Sequence, residues 1–430
     1  MTTLAHRGLS PLRRSLGNGA IVLVQQTATH PAVTVYATLP CGSGFDEDQL
    51  LGRSNFLARV IDRGTQHRTA EQLAEDLDGR GVSLNVGVTR HLLSLSCTCL
   101  AEDLQAMLDI VADVLRYPTF PQDQIERRRA TIVTAIRQDE DNPAAVAMEG
   151  LMRLVYPDGH PYGRPARGTI DSVARITRDD LVRLYNAQVG ASGLRLVIVG
   201  DVEPDIAYDG AERAFADWLV PGGCALQPPP APEVRARQRQ STDMPGKAQS
   251  DIAYGFATIA RRDPRYFPLT LLNNVLGQYA LGGRLGDNIR ERQGMAYYVF
   301  SSFDANVAEG PLVIRAGVNP ANVERTVLAI DDEVERMVRD GVTLEELADS
   351  KRYLIGSMPR TLETNGGIAS FLHDADYFGL GLDYDRRLPA LLDAVTLDEV
   401  NDVARTFLSS DRAAIWVAGP PVREGGEAVA

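Results

Sequence analysis

Leu194-Arg195-Leu196-Val197-Ile198-Val199-Gly200 and Ala413-Ala414-Ile415-Trp416-Val417-Ala418-Gly419 read as one apolar strand written twice, 219 residues apart. The same offset brings three further elements into line. The alternating run Val33, Val35, Ala37 falls on Ile252, Tyr254, Phe256, each a strand with one buried face. The helical stripe Leu104, Leu108, Val111, Leu115 falls on Val323, Val327, Ile330, Val334. Thr177 and Asp180 fall on Thr396 and Glu399, a capping-box pattern in both halves. Four ordered elements agreeing at one offset indicate an internal duplication.

Outward from these anchors, each half places strands first, then helices, more strands, a long helical run and a closing strand. In the first half the patterns predict strands near Ala20–Gln26, Val33–Leu39, Val82–Val88 and Leu92–Leu100. Helices are predicted near Leu50–Asp62, Ala70–Gly79, Glu102–Arg116, Gln122–Glu140, Ala144–Tyr156 and Arg178–Gln188. Strands grouped apart from helices favour an α+β unit, with helices against a mostly antiparallel sheet. Pro228-Pro229-Pro230, Pro232, a basic run to Arg239 and Pro245-Gly246 carry little apolar periodicity and read as a linker. The expected organisation is a domain over 1–220, a Pro-rich linker over 221–247 and a second domain over 248–430, facing each other as a clamshell.

Charge and histidine content narrow the function. The 430 residues carry 44 Lys+Arg against 57 Asp+Glu, a net charge of −13. That argues against nucleic acid as a partner, because phosphate binding needs a cationic footprint; the acidic excess suits either solubility or cationic peptides. His6, His30, His67, His91, His160 and His373 never come closer than 24 residues, so a zinc pair one helical turn apart is absent. Cys41, Cys97, Cys99 and Cys224 form no CxxC and read as buried free thiols of a reducing compartment. Met1–Arg14 leads into no apolar signal region, and aliphatic runs such as Leu196–Val199 are too short to span a bilayer, so a cytoplasmic location without membrane contact is expected.

Several strings then carry a likeness. They are Gly42-Ser43-Gly44-Phe45-Asp46-Glu47, the run Gly52–Thr65, Glu140-Asp141-Asn142-Pro143, His160-Pro161-Tyr162-Gly163, Val197–Asp201, Gly246-Lys247-Ala248-Gln249, and Gly282-Gly283-Arg284-Leu285 through Ile289-Arg290-Glu291 to Gly294-Met295-Ala296-Tyr297. With the duplicated halves, they resemble the pitrilysin/insulinase family of zinc peptidases, the inverzincins with HxxEH on their metal helix, over nearly the whole chain. The family's Gly-x-x-His-x-x-Glu-His reads here Gly52-Arg53-Ser54-Asn55-Phe56-Leu57-Ala58-Arg59. Asn55 and Arg59 stand where histidines bind metal, Ala58 replaces the general-base glutamate, and the third ligand position falls near Ala135. Alanine offers no lone pair and arginine brings a positive charge, so no zinc is expected in this chain.

The second half keeps what the first has lost. The resemblance implies that Arg290 and Tyr297 match an arginine and a tyrosine that reach substrate in active members: Tyr297 donates to the scissile carbonyl as it becomes an oxyanion, and Arg290 holds the substrate backbone. Read without the likeness, Tyr297 is a core tyrosine and Arg290 a helix-end cation near Glu291. Arg290 is expected to end a helix starting near Gly283, with Gly294 breaking it and Tyr297 beginning a strand whose alternation turns Tyr298 the other way. Gly282-Gly283 lacks the rest of a phosphate-loop string and reads as loop flexibility or close packing. Val82–Val86 is either a core strand or an edge that a substrate extends, and Asp201 is a turn residue.

The implied function is the zinc-free subunit of a heterodimeric zinc metallopeptidase, inactive alone. A homologous partner carrying HxxEH supplies zinc and base, Arg290 and Tyr297 act on peptide substrates, and the isolated chain can pair with itself as a homodimer. The alternative is a catalytically silent structural or binding homologue in a larger assembly. An independent hydrolase finds little support, since no GxSxG occurs and the cysteines lack a base partner.

Overall fold

The computed structural model describes residues 8–28, 30–278 and 283–421. The strands are β1 (Leu12–Ser15), β2 (Ile21–Gln26), β3 (Ala32–Leu39), β4 (Asn85–Val88), β5 (Leu93–Leu100), β6 (Arg195–Gly200), β7 (Gln238–Asp243), β8 (Ser250–Ala257), β9 (Ala296–Phe303), β10 (Pro311–Val318) and β11 (Ala414–Gly419). The first seven helices are α1 (Arg53–Val60), α2 (Ala70–Asp78), α3 (Leu104–Arg116), α4 (Gln122–Glu140), α5 (Pro143–Val155), α6 (Ile170–Arg175) and α7 (Arg178–Gln188). The rest are α8 (Pro204–Phe215), α9 (Tyr266–Asn273), α10 (Val323–Arg339), α11 (Leu344–Thr361), α12 (Asn365–Tyr377), α13 (Tyr384–Asp393) and α14 (Leu397–Phe407).

The chain forms two compact units, and they are not its contiguous halves. One comprises residues up to Ile136 with Pro165–Leu226 and Ser357–Arg387; the other comprises Arg137–Arg164, Gln227–Gly356 and residues from Leu388. Each unit thus takes a helix-bearing segment from the other half of the sequence, an arrangement no local pattern in either half announces.

In the first unit a six-stranded sheet runs β1-β2-β6-β3-β5-β4. β2 and β6 pair in parallel, and β3 pairs antiparallel with both β6 and β5. Leu196 and Ile198 of β6 enter the main core with Phe56, Leu57 and Leu108, whereas Val197 and Val199 meet Ile368, Ala369 and Leu372 of α12. From Leu196 to Gly200 the strand is apolar because both its faces are covered.

In the second unit the sheet order β7-β11-β8-β10-β9 repeats that of β2-β6-β3-β5-β4. Val35 pairs with Ile198 and Ile252 with Val417, so β8 sits two residues off the 219-residue offset that relates β6 to β11. A two-residue slip preserves which side chains face the core, so the alternating pattern stays in phase. Here α5 lies on β8 and β11. A Cβ on Gly150 would come 2.1 Å from the Trp416 ring, so only glycine lets the helix approach so closely.

Both anticipated capping boxes form, at Thr177/Asp180 and Thr396/Glu399. The 221–247 segment departs from a bare linker. Its end forms β7, parallel to β11, and its start is pinned by Gly223 N donating to Gln188 O and Gly222 N donating to Ser192 Oγ. The polar string Gln238–Asp243 carries no strand pattern; pairing with β11, not periodicity, makes it one. Cys41, Cys97 and Cys99 are buried free thiols, but Cys224 is exposed. Among the described residues no helix is long and apolar enough to cross a membrane.

Candidate functional site

α1 begins at Gly52, whose φ of 86° and 2.3 Å separation between an added Cβ and Arg167 O admit only glycine. The Gly42–Glu47 string braces this start: buried Asp46 accepts from Gly52 N (3.0 Å), Ser54 N (2.9 Å) and Ser54 Oγ (2.7 Å). Burial outweighs these donors and pushes the Asp46 carboxyl up to about 6. On the helix so placed, Asn55 is half-buried, Ala58 is 3% exposed and Arg59 faces solvent. Ala135 is half-buried on α4. Of these four residues only Asn55 has a metal-donor atom, an amide oxygen, so they do not fit a zinc site. Among the described residues no group of three or more His, Cys, Asp or Glu is placed to hold a metal ion.

Positive charge surrounds this face. Asp62, just beyond α1, pairs with Arg63 at 3.1 Å. Burial raises its pKa, against the opposing pull of Arg63, Arg128 and Arg59. Arg128 lies outside the strings that carry the likeness, and nothing in the sequence marks its electrostatic link to Asp62 beside Arg63.

A polar cavity of about 400 Å³ adjoins Arg63, lined also by Thr65, His67, Arg68, Thr69 and Gln124. Beneath it Asp113 of α3 meets His67 Nδ1 (2.6 Å), Thr65 Oγ1 (2.8 Å) and an Arg68 nitrogen (2.7 Å). Burial tends to raise the Asp113 pKa, but the His67, Thr65 and Arg68 bonds outweigh it and hold the carboxyl below its ordinary value. This network was not legible, because His67 and Asp113 are far apart in sequence.

In the second unit Arg290 lies in a π-helical segment, Gly286–Arg292, instead of ending an α-helix. π-turns are rare and frequent at functional positions. Asn288 anchors the segment by donating to the fully buried Glu333 (2.6 Å) and accepting from Gln293 Nε2 (2.9 Å). Gly294, with φ 60°, closes it, and β9 starts at Ala296. Arg290 is exposed, with Glu291 at 3.6 Å.

The two neighbouring tyrosines part as alternation requires. Tyr298 donates to buried Asp251, which also accepts from Gln249 (3.0 Å), and its ring lies over Gly317, where a Cβ would come within 2.4 Å. Tyr297 is 60% exposed on edge strand β9 and has no hydrogen-bond partner among the described residues. The core reading of Tyr297 therefore fails. Gly283 packs against Gly277, with an added Cβ 2.7 Å from its Cα, which favours close packing at that glycine; Gly282 lies outside the described residues. β4 is the far edge of the first sheet, and Asp201 is an exposed residue after β6 whose N–H donates to Ala32 O (3.2 Å).

Residues 21–169 match the family described as insulinase (peptidase family M16), and residues 175–354 match the one described as peptidase M16 inactive domain. An uncharacterized zinc protease YmxG of Bacillus subtilis is 25% identical over 403 residues, covering 93% of this chain and 96% of the relative. A non-peptidase homolog YmxG of Helicobacter pylori is 24% identical over 389 residues, 89% of this chain and 87% of that protein. The crystal structure of a peptidase M16 inactive domain from Pseudomonas fluorescens superposes with a TM-score of 0.88 at 24% identity, covering 96% of this chain and 98% of that one. A protease structure from Helicobacter pylori gives 0.89 at 16% identity, covering 96% and 100%. These two likenesses establish the two-domain α+β fold.

Proposed function

We propose, on the premise that this chain belongs to the insulinase (pitrilysin) family, peptidase family M16, that it serves as the zinc-free subunit of a heterodimeric peptidase. The observation that carries the reading is the contrast within β9: Tyr298 is tied to Asp251, whereas Tyr297 is exposed and has no hydrogen-bond partner among the described residues. A homologous partner with HxxEH supplies metal and general base. Tyr297 donates a hydrogen bond to a peptide carbonyl oxygen as it gains negative charge, and the Arg290 guanidinium binds the substrate backbone. A donor aimed in this way contributes about 3–4 kcal/mol to transition-state stabilisation. The π-turn anchored on Glu333 fixes where the Arg290 side chain leaves the backbone.

The chain alone cleaves no peptide under this reading. Mixed with an HxxEH-bearing partner it restores cleavage, which Tyr297→Phe lowers about 100-fold or more. An unchanged reconstituted rate would remove Tyr297 from the chemistry. The second reading, a silent binding or structural homologue, draws support from the relative named a non-peptidase homolog. Recovery of the chain in a larger assembly without peptidase activity would favour it.

A further inference from the structure

The face of α1 that has lost metal-binding side chains has acquired a different chemistry. Arg59 stands exposed at a former ligand position and makes no salt bridge among the described residues. Arg63 follows in the next turn, and α4 brings Arg128 from the side, its own position fixed where Arg129 stacks over Phe56 of α1 at 5.2 Å. Arg59, Arg63 and Arg128 all act electrostatically on one carboxylate, Asp62, which is mostly buried and, among the described residues, forms a salt bridge with Arg63 alone. The adjoining cavity is lined by both signs, Arg63 and Arg68 with Glu71 and Asp123, on a chain whose net charge is −13.

Among the described residues the buried Nε atoms of Arg63 and Arg128 have no hydrogen-bond partner, and buried Asp62 Oδ1 has none either. Burial above all, with the repulsion of Arg63 and Arg59, lowers the Arg128 pKa against the pull of Asp62. Space lies beside the cluster: Arg63 lines the polar cavity, as does Gln124, one turn before Arg128 on α4. A planar guanidinium is matched best by a planar oxyanion, which takes two parallel N–H bonds from one fork.

We propose that the degenerate metal face is a carboxylate-binding site, in which Arg59, Arg63 and Arg128 take an acidic group of a bound peptide beside the polar cavity. The peptide part of this statement rests on the peptidase-subunit reading; the carboxylate part rests on the arginines alone. A C-terminal carboxylate and a Glu or Asp side chain present the same oxyanion, so the test separates them.

Fluorescein-labelled octapeptides are titrated into the full chain, without any partner, and followed by anisotropy. Four peptides carry Glu or Gln at the centre and a free or amidated C-terminus. The acidic forms should bind at least about 10-fold more tightly than the Gln amide, and the form that retains the gain names the source of the carboxylate. Arg59→Glu, exposed and so without consequence for folding, and Arg128→Gln should each weaken acidic-peptide binding about 10-fold or more at an unchanged melting temperature. Equal affinity for all four peptides, no binding of any, or full binding by Arg59→Glu overturns the proposal. Because no partner or cleavage enters the assay, its outcome is independent of the Tyr297→Phe result.

Discussion

Gly150→Ala in α5 sets two opposing physical effects against each other, and their sign reports whether α5 lies on the second sheet. In an isolated helix the change gains about 1 kcal/mol of helix propensity. Here the new methyl would sit 2.1 Å from the Trp416 ring, well inside the 3.4 Å of ordinary contact. Either α5 withdraws from β8 and β11 by about an ångström, loosening Leu151 and Val155 in their core, or Trp416 turns away and gives up its Nε1 bond to Thr242 Oγ1 at 3.0 Å. Overpacking costs about 1–3 kcal/mol and a lost hydrogen bond about 1 kcal/mol, so the net effect is a destabilisation of about 1–3 kcal/mol. Urea unfolding followed by far-UV circular dichroism measures it, with Trp416, one of two tryptophans, as a local fluorescence probe. Trp416→Leu should restore part of the loss in the double variant, a coupling that independent sites would not show. A Gly150→Ala protein as stable as wild type, or more stable, would refute the placement of α5.

Three further outcomes follow from the first unit. Asp46 is pushed up to about 6 by burial, above its unfolded value, so the folded chain binds the extra proton and stability falls as pH rises from about 4 through 6. The advantage of wild type over Asp46→Asn should shrink by up to about 3 kcal/mol across that window, and a constant or growing margin contradicts it. Asp113 is held below its ordinary value, so its contribution is present at neutral pH and lost as pH falls through the folded pKa; Asp113→Ala should cost about 1–3 kcal/mol at pH 7 and far less at pH 2, measured by thermal unfolding. Metal analysis of the purified chain should find no stoichiometric zinc, and a stoichiometric signal lost on Asn55→Ala would reverse the reading of α1.

What the sequence disclosed tracks how local the controlling physics is. The capping boxes at Thr177 and Thr396 and the twin strands β6 and β11 are written in consecutive residues, and each forms where the pattern places it. The departures from the family motif at Asn55, Ala58 and Arg59 are equally local, because one short run of consecutive residues carries them. β7 escaped notice because Gln238–Asp243 is polar and becomes a strand through pairing alone. β1 is four exposed residues with no apolar alternation. The electrostatic influence of Arg128 on Asp62, and the bond of His67 to Asp113, depend on how separate segments meet, which spacing cannot encode.

The helices exchanged between the sequence halves also bear on how such a chain could have arisen. A single ancestral copy, folded alone, would have left the sheet face of Leu23, Val197 and Val199 open to water unless its own late helix bent back onto it. Two identical copies trading that helix would have covered both faces at once, by the same route that makes swapped dimers. Fusion of two such copies would make a permanent companion of what had been a second molecule. A protease nick between Leu226 and Gln227 would therefore release no folded half: the fragments would stay associated through α5 and α12 until denaturant separated them.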